Sequence, residues 1–376
     1  MEYLTILVFI LFGIFIELSN TNRKYSKIIY YAVHFGLIII AGLRYRVGTD
    51  TIRYHEMFDN DIHWHLKLYQ PVWNILNQLI DLTIGEFWGI QIICSIIFFL
   101  GLNKQFQQYP NSIFIATLLY FFPHFFTKNF ELLRESLALG VFFLYGFKNL
   151  EKKKWINYYI ISFICILIHL GSVYLFLLPI LLKIKFEKIN LFLLCNSLFM
   201  IFYFIDIRSD LLSLLQLVEA LETKSNAYLV NQSNSYNINY VLKSLFEINL
   251  SLIFFNYIKF FLKPKQFILR FIAIPSVLIS LGSITFIFPR LINYHLGIII
   301  PLVGALFLNI IYFKIKKPFK LTILFSLILL FNISNYYSIF FSKKDDFYTY
   351  YKYYPYYSIF NKSKYEKRES EALKFN

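Results

Sequence analysis

The sequence predicts an all-α, polytopic integral membrane protein with about 11–12 transmembrane helices, whose outward-facing loops form the site. Hydrophobic residues make up 58% of its 376 residues, charged residues only 16%, and the mean hydropathy is +0.55. A soluble domain carries about 25% charged residues to cover its surface. Because this chain cannot do so, its composition excludes a soluble enzyme and a disordered protein.

Apolar runs long enough to cross a bilayer are spaced along the whole chain. A helix crosses the hydrocarbon core in about 20 residues. Runs of about this length lie at residues 3–18, 28–43, 86–102, 111–126, 131–147, 155–182, 189–206, 241–262, 267–289, 291–313 and 319–341. The first run has neither a basic start nor a small-residue cleavage site, so we expect a membrane helix there and no cleaved signal peptide.

The run at 155–182 is too long for one upright helix, and His169-Leu170-Gly171-Ser172 interrupts it. We therefore expect a hairpin of two short helices that turns at these residues. With this hairpin, the lysine-rich gaps all fall on one side of the membrane: 23–27, 148–154, 183–188, 263–265 and 314–320. The positive-inside rule assigns that side to the cytoplasm, so both termini are expected outside.

The domain organisation follows from this pattern of runs and gaps. We expect one polytopic domain over residues 1–376, with main outer loops at 44–85 and 207–240 and a tyrosine-rich tail at 342–376. The formal net charge is +15, but lysine and arginine stand mostly in short gaps between apolar runs. That placement indicates membrane topology and not nucleic-acid binding. All three cysteines lie within apolar runs, so neither a disulfide framework nor a metal cluster is indicated.

The most informative segment is 42–54, which follows a membrane helix directly and carries three arginines: Arg44, Arg46 and Arg53. A turn before Asp50 predicts a short helix through Asp59 that Thr49 or Asp50 caps. Arginines beside the free N–H groups of a helix N-terminus form a site for phosphate or diphosphate. The alternative is that these arginines contact lipid headgroups and that Asp50 is only a cap.

Charged residues also stand at the ends of later apolar runs. Glu131 and Glu135 are spaced four residues apart on one helix face, with Arg134 next to both. Such residues are either site residues or interfacial anchors. His169 stands at the predicted hairpin turn, where it can accept a proton, although an intramembrane histidine is commonly a hydrogen-bonded packing residue. Arg290 stands at the end of a later run.

Nine tyrosines lie between Tyr336 and Tyr357, Tyr354 and Tyr356 among them. They are typical either of an aromatic belt at the membrane interface or of platforms that stack on sugar rings. Asp59-Asn60-Asp61 resembles a metal-binding Asp-x-Asp, but three such residues are weak evidence. We expect neither a metal nor a cofactor, and the sequence contains no phosphate-binding glycine loop, HExxH, CxxC or nucleophile elbow.

At these residues the sequence resembles the EpsG family, a Wzy-like group of polysaccharide polymerases in bacterial membranes. The resemblance covers nearly the whole chain. The matching features, in order, are Gly42-Leu43-Arg44 through Gly48-Thr49-Asp50 to Tyr54, then Arg134-Glu135-Ser136-Leu137-Ala138, His169-Leu170-Gly171-Ser172, and Arg290…Tyr294 with Tyr354-Pro355-Tyr356. Two positions depart from the family pattern, since Glu135 replaces the usual Gln and the His-x-Ser element has one extra residue.

This resemblance implies a glycosyltransferase that polymerises oligosaccharide repeat units for O-antigen, capsule or exopolysaccharide at the outer, periplasmic face of the bacterial inner membrane. Its partners would be oligosaccharide linked to undecaprenyl diphosphate, the bilayer, and chain-length regulator and flippase proteins. The expected catalytic residues are Asp50, His169 and Glu135, and the base is open among these and Glu131. The expected diphosphate- and sugar-binding residues are Arg44, Arg46, Arg53, Tyr54, Arg134, Arg290, Tyr354 and Tyr356.

Two other classes of protein fit part of the pattern. A membrane glycosyltransferase of the GT-C type, or an O-antigen ligase, would use the same outer face, and a metal-dependent member would lose activity in EDTA. A flippase for lipid-linked sugars is the non-enzymatic alternative. It would expose charge to a central cavity through many helices, whereas the arginines in this chain collect at one predicted face.

Overall fold

The computed structural model describes residues 2–19, 23–59, 70–186, 189–204, 238–282, 287–312, 343–344 and 347–373. These ranges are helical apart from short connections and an antiparallel pair of two-residue strands, in which Lys343 pairs with Tyr348. The chain divides into two compact units. The first comprises residues 1–176 and 300–376, and the second comprises residues 177–299.

In chain order, the helices and strands are α1 (Glu2–Leu18), α2 (Arg23–Gly42), α3 (Thr49–Asp59), α4 (Pro71–Thr83), α5 (Trp88–Phe106), α6 (Ile113–Tyr120), α7 (Leu133–Val141), α8 (Trp155–Ile168), α9 (Tyr174–Leu181), α10 (Leu191–Phe204), α11 (Ile238–Tyr257), α12 (Gln266–Leu281), α13 (Ile287–Leu291), α14 (Asn293–Tyr312), β1 (Lys343–Lys344), β2 (Phe347–Tyr348) and α15 (Glu366–Leu373).

Several helices continue or are joined through other helical forms. Helix α6 is extended by two π-helical turns, Phe121–Phe125 and Thr127–Glu131. Helix α7 is extended by the π-helical turn Phe142–Gly146 and then by the α-helical turn Phe147–Glu151. Helix α11 is extended by the π-helical turn Ile258–Leu262. Short 3₁₀ helices lie at Pro110–Ser112, Leu170–Val173 and Thr349–Lys352. π-Helical turns are rare and are found frequently at functional sites, and two of these lead into the turn that precedes α7.

In the first unit, α5 and α7 cross closely at two glycines. A Cβ atom on Gly101 would lie 2.6 Å from the carbonyl oxygen of Gly140, and one on Gly140 would lie 2.7 Å from that of Ile97. Small residues at such crossings allow helix backbones to approach each other. This crossing fixes the position of α7, whose first turn carries Arg134 and Glu135.

The second unit packs α10, α11 and α12 together through polar as well as apolar side chains. Asn196 on α10 and Asn249 on α11 exchange hydrogen bonds at 3.4 Å. The Ser251 hydroxyl on α11 donates to that of Ser276 on α12 at 2.9 Å. Such interhelical hydrogen bonds are a common means of helix association inside membranes.

Three helices within the described ranges are long and apolar enough to cross a membrane: Tyr25–Gly42, Trp88–Phe106 and Ser244–Leu262. Shorter apolar helices of 10–17 residues lie at Pro110–Tyr120, Trp155–Ile168, Leu170–Leu181, Leu191–Phe204, Gln266–Leu281 and Asn293–Asn309. The all-α class is therefore confirmed for the described residues. The larger number of crossings stays a prediction, and the apolar run at 319–341 lies outside the described residues.

The break predicted within the run at 155–182 is confirmed, and the chain turns back after it, because the Tyr158 hydroxyl on α8 donates to the Leu175 carbonyl on α9 at 2.5 Å. Helix α8 ends at Ile168, His169 has an extended backbone with φ −147° and ψ 116°, and a new helical turn starts at Leu170. The segment 44–85, predicted to be an outer loop, contains α4 in addition to the predicted helix through Asp59, and its outer location stays a prediction. Proline at the first position of α4 suits a helix start. Of the second predicted loop, residues 207–237 lie outside the described residues.

Segments far apart in sequence meet at one end of the first unit. The Tyr3 hydroxyl donates to the Tyr353 carbonyl at 2.9 Å, and the Tyr45 N–H donates to the Tyr357 carbonyl at 2.8 Å. At the other end of α1, the carboxylate of Glu17 accepts the N–H of Phe114 at 2.9 Å. The N-terminus, the segment after α2 and the tail therefore share one end of this unit, which we call the tail end.

Candidate functional site

Arg44 is the buried centre of the segment that follows α2. Its side chain is 1% exposed. Its Nε donates to the Val47 carbonyl at 3.2 Å, one terminal nitrogen donates to the Thr51 hydroxyl at 3.0 Å, and the other donates to the Ala41 carbonyl. The guanidinium lies 4.7 Å from the ring centroid of Phe130. Burial lowers the pKa of Arg44 to about 10, so this residue is a cation at neutral pH that holds the turn from within.

The turn itself has an unusual backbone. Arg46 and Gly48 have φ values of 49° and 96°, in a region that favours glycine. A Cβ atom on Gly48 would lie 2.6 Å from the carbonyl oxygen of Phe130, and the Gly48 N–H donates to the Lys352 carbonyl at 2.8 Å. Only glycine fits at position 48, and the turn is held between the extension of α6 and the tail.

Glu131 caps α3 from a distant part of the chain. Its carboxylate accepts the N–H of Asp50 at 2.7 Å, the N–H of Thr49 at 3.2 Å and the Thr49 hydroxyl at 3.2 Å. The predicted cap was therefore wrong in its origin, because Thr49 and Asp50 are the first helical residues. The N–H groups that we assigned to a phosphate are likewise occupied by this carboxylate.

Glu131 is buried and lies near both a negative and a positive charge. Burial raises the pKa of this carboxyl group, and the negative charge of Asp50 raises it further. The positive charge of Lys352 and the N–H groups of Asp50 and Thr49 act in the opposite direction. Glu131 is only 7% exposed, and its hydrogen bonds hold the start of α3 in place.

Asp50 is the half-buried carboxylate of this cluster. Among the described residues its side chain makes no hydrogen bond and no ion pair, although its backbone N–H is bound by Glu131. Its charge nevertheless acts on three neighbours, since it raises the pKa values of Glu131, Tyr54 and Tyr353, each of which is raised chiefly by burial. The Asp50 carboxylate is therefore a partly exposed hydrogen-bond acceptor, and the hydrogen bond from its backbone N–H to Glu131 holds the residue in place.

Arg134 lies on the first turn of α7, and the charges of Arg134 and Asp50 both act on Tyr54. Its Nε donates to the Tyr54 hydroxyl at 3.1 Å, and one terminal nitrogen donates to the side-chain oxygen of Gln70 at 2.7 Å. The guanidinium also lies 5.0 Å from the centroid of the Tyr54 ring. The second terminal nitrogen makes no hydrogen bond to any described residue and is available to another group.

Lys352 supplies a second half-buried cation near Asp50. Its backbone carbonyl accepts the Gly48 N–H, and its ammonium lies close enough to Glu131 to lower the pKa of that carboxyl group. Within the described ranges the ammonium makes no hydrogen bond or ion pair. The site thus combines the carboxylate of Asp50 with the cationic groups of Arg134 and Lys352.

Glu135 is held in a buried ion pair. The Lys128 ammonium lies 3.7 Å from its carboxylate, and both side chains are at most 7% exposed. Lys128 belongs to the last π-helical turn before α7, and its carbonyl accepts the hydroxyl of Ser136. This pair ties the turn at 127–132 to the first turn of α7.

His169 lies at the tail end of the first unit, next to α7. The Cys165 thiol on α8 donates to the Ala138 carbonyl at 3.4 Å, and α7 and α8 run antiparallel because the short turn at 152–154 joins them. From this contact, four residues forward along α8 lead to His169, and four residues back along α7 lead to Arg134. Each of these steps covers about 6 Å. His169 is therefore about level with Arg134, but no described contact joins it to Asp50.

The tail completes the cluster in a way that the sequence did not predict. Arg46, expected to bind diphosphate, instead donates to Glu369 on α15 at 2.8 Å and to Glu56 on α3 at 3.1 Å. Its hydrogen bond to Glu369 raises the pKa of Arg46 further. Arg53 donates to the Ala372 carbonyl at 3.1 Å. Both side chains connect α3 to α15.

Arg368 is the central residue of the docked tail. It is 0% exposed, and it donates to the carbonyl groups of Arg46 at 2.7 Å, Tyr351 at 2.8 Å and Pro355. These three hydrogen bonds from one side chain hold the tail in its path around the turn. No sequence pattern signals this role, because all three acceptors are backbone atoms.

The remaining predicted site residues differ in their contacts and in their exposure. Tyr54 contacts Arg134, whereas Tyr356 donates its hydroxyl to the Ile40 carbonyl at 3.0 Å and Tyr354 is 55% exposed. Arg290 is exposed on α13, in the second unit. Within the first unit, the structure therefore brings Arg44, Asp50, Tyr54, Arg134 and Glu135 together with the tail.

Among the described residues, no three His, Cys, Asp or Glu side chains converge as ligands for a metal ion. Asp59, the first residue of the predicted Asp-x-Asp element, pairs with His55 at 2.9 Å. The other two residues of that element lie outside the described ranges.

Several residues near the site were missed by sequence reasoning. Neither Lys128 nor Lys352 was among the predicted site residues. Gln70, directly before α4, and Trp73, Asn74 and Asn77 within it were placed in a loop. Their spacing of three and four residues is nevertheless that of one helix face. That periodicity was the available signal.

Taken together, the apolar helices and the cluster of Asp50, Arg134 and Lys352 define a membrane protein with a charged site at one end of its first unit. The chain belongs to the EpsG family, whose model matches residues 27–358. Membership of this family is consistent with a polysaccharide polymerase-like membrane protein. No curated protein and no solved structure matches the sequence significantly.

Proposed function

We propose that this chain joins oligosaccharide repeat units, each linked to undecaprenyl diphosphate, into O-antigen, capsular or exopolysaccharide at the outer face of the bacterial cytoplasmic membrane. The observation that carries the proposal is the placement of Asp50. Its carboxylate is half-buried and without a partner among the described residues, and Arg134 and Lys352 lie nearby. EpsG membership supports the same class of reaction.

The reaction requires a base and a means of neutralising a diphosphate. The acceptor sugar hydroxyl loses its proton to Asp50 as its oxygen attacks the anomeric carbon of the donor, and the bond from that carbon to the diphosphate breaks. Undecaprenyl diphosphate leaves with the electron pair. Arg134 and Lys352 stabilise the negative charge that develops on its oxygens.

The other predicted residues support this centre. The hydrogen bonds of Arg44, Arg46 and Arg53 go to the protein itself, so we assign them to holding the turn and α3. Glu135 and Lys128 fix the first turn of α7 by their ion pair. His169 stays the alternative base, since it lies at the same end of the first unit.

The proposed reaction can be tested with purified protein and a lipid-linked repeat unit. We expect incubation to give a ladder of products that differ by whole repeat units, with release of undecaprenyl diphosphate. Cells without the chain should accumulate single units on the lipid carrier. Transfer of one unit to a different acceptor without a ladder would instead identify a ligase, and translocation without bond formation would identify a flippase.

The outward orientation is also part of the proposal, because it follows from the lysine-rich gaps. Phe360→Cys in the tail, where the side chain is 83% exposed, should react with an impermeant thiol reagent added to intact cells. Lys152→Cys, exposed in the turn between α7 and α8, should be protected until the membrane is opened. Both variants are made with Cys94, Cys165 and Cys195 replaced by serine. Labelling of Lys152→Cys alone would invert the orientation.

A further inference from the structure

The inward face of α4 is polar, although it is buried. Gln70, which precedes the helix, and Trp73, Asn74 and Asn77 within it are each at most 3% exposed. The opposite face is apolar and exposed, with Ile75 and Leu79 more than half exposed and Leu82 83% exposed. A helix with its apolar face outward and its polar face inward inverts the pattern of a soluble protein. It is suited to a position between lipid and a polar site.

Four polar atoms on this inward face have no hydrogen-bond partner in the part of the chain that the structure describes. They are the indole Nε1 of Trp73, the Nδ2 and Oδ1 of Asn74, and the Oδ1 of Asn77. The Asn77 Nδ2 is bound, because it donates to the Trp73 carbonyl at 2.7 Å. Buried polar groups in native proteins almost always have a partner, so a cluster of four within two helical turns points to a ligand.

The chemistry of these four atoms narrows the class of ligand. Trp73 Nε1 and Asn74 Nδ2 are donors, and the amide oxygens of Asn74 and Asn77 are acceptors. All three side chains are neutral, so this face offers no charge to a phosphate. Hydroxyl groups both donate and accept, and a sugar ring presents several of them within a few ångströms. Neutral amides beside an aromatic residue are therefore suited to a sugar.

The inward face of α4 is continuous with the charged site. The Gln70 side-chain oxygen accepts from Arg134 at 2.7 Å, and the Trp73 ring centroid lies 5.8 Å from that of Tyr54, whose hydroxyl accepts from Arg134. A ligand with a phosphate on Arg134 and a sugar on Asn74 would therefore span adjacent groups.

We propose that the inward face of α4 binds the sugar that is attached directly to the lipid diphosphate. The identity of the sugar as part of a lipid-linked repeat unit rests on the proposed function. Binding of a neutral, polyhydroxylated ring rests on the four polar atoms alone. Asn74 is the residue that distinguishes the proposal from a packing role, because both of its polar atoms are without a partner among the described residues.

The test replaces Asn74 by leucine, a side chain of similar shape with no polar atom. No hydrogen bond within the described protein is lost, so Asn74→Leu should unfold at the same temperature as the wild type or higher. The probe is the repeat-unit oligosaccharide of the host's polymer, released from its lipid diphosphate and titrated calorimetrically into protein in detergent. We expect Asn74→Leu to bind it at least about tenfold more weakly, and to bind inorganic pyrophosphate as the wild type does.

Asn309→Leu is the matched control, since Asn309 is a half-buried asparagine on α14 that donates to the Ala305 carbonyl at 2.9 Å. It should leave oligosaccharide binding unchanged. Wild-type affinity of Asn74→Leu for the oligosaccharide would overturn the proposal, as would a clear fall in its unfolding temperature. If the wild type makes no polymer but Asn74→Leu still loses sugar binding, the polymerase function fails and the sugar site stands.

Discussion

Asp50→Asn is expected to reduce polymer synthesis about 10²- to 10⁴-fold, the contribution typical of a general base. Asparagine has nearly the same shape, and the backbone N–H at position 50 can still donate to Glu131. The fold of α3 should therefore be kept, while the side chain can no longer take a full proton from the acceptor hydroxyl. The measurement is the initial rate of ladder formation from the lipid-linked unit by purified protein, after membrane expression has been verified.

Two variants control for this result. Asp81→Asn changes an exposed aspartate on α4 and should leave the rate unchanged. His169→Gln removes the alternative base, and we expect it to retain most of the activity. Polymer made at the normal rate by Asp50→Asn, together with loss of activity in His169→Gln, would transfer the role of base to the imidazole. If Asp50→Asn is active but Asp50→Ala is not, Asp50 is structural.

Arg134→Ala is expected to slow turnover roughly tenfold to a hundredfold, because a charge-assisted hydrogen bond in a buried site contributes about 1.5–3 kcal/mol. The arginine fork binds Tyr54 and Gln70 with two of its nitrogens, and in the proposed reaction its third nitrogen binds the leaving group. The loss should appear mainly in kcat, since the charge on the diphosphate develops during bond breaking.

Arg134→Lys gives the sharper comparison. Lysine keeps the charge but has no planar fork, so it cannot make the contacts to Tyr54, Gln70 and diphosphate together. We therefore expect Arg134→Lys to have a reduced kcat as well. The matched control is Arg270→Lys, a half-buried arginine on α12 that donates to the Leu182 carbonyl at 3.4 Å. Normal kcat in both Arg134 variants would remove this residue from the mechanism.

The sequence predicted what depends on local composition. Within the described ranges the apolar runs identify helices, because the transfer of a segment into lipid depends on the side chains of that segment. The break at His169 was predicted for the same reason, since residues 169–172 interrupt a run of known length, and the structure has an extended residue there. The segment after α2 was predicted to be the centre of the site from its arginines and its turn, and this stays a prediction.

What the sequence could not predict are pairings between distant segments. The cap on α3 comes from Glu131, 81 residues beyond Asp50, and its carboxylate occupies the N–H groups that were predicted to bind phosphate. The arginines of the segment also have protein partners, and for Arg46 and Arg53 these partners lie in α15. A charge pattern indicates that arginines are present, but not which acceptors the fold brings within reach of them.

The sequence by itself therefore determined the all-helical class of the described residues and the helix break at His169, and it predicted the segments that we propose to carry the chemistry. Only the tertiary structure decided which charged groups form hydrogen bonds or ion pairs with other described residues and which do not. It left the carboxylate of Asp50 and one terminal nitrogen of Arg134 without partners among the described residues, while Arg44, Arg46 and Glu131 hold the turn. The physical reason is that hydropathy sums over neighbouring residues, whereas a hydrogen bond or ion pair depends on a distance of a few ångströms that only packing sets.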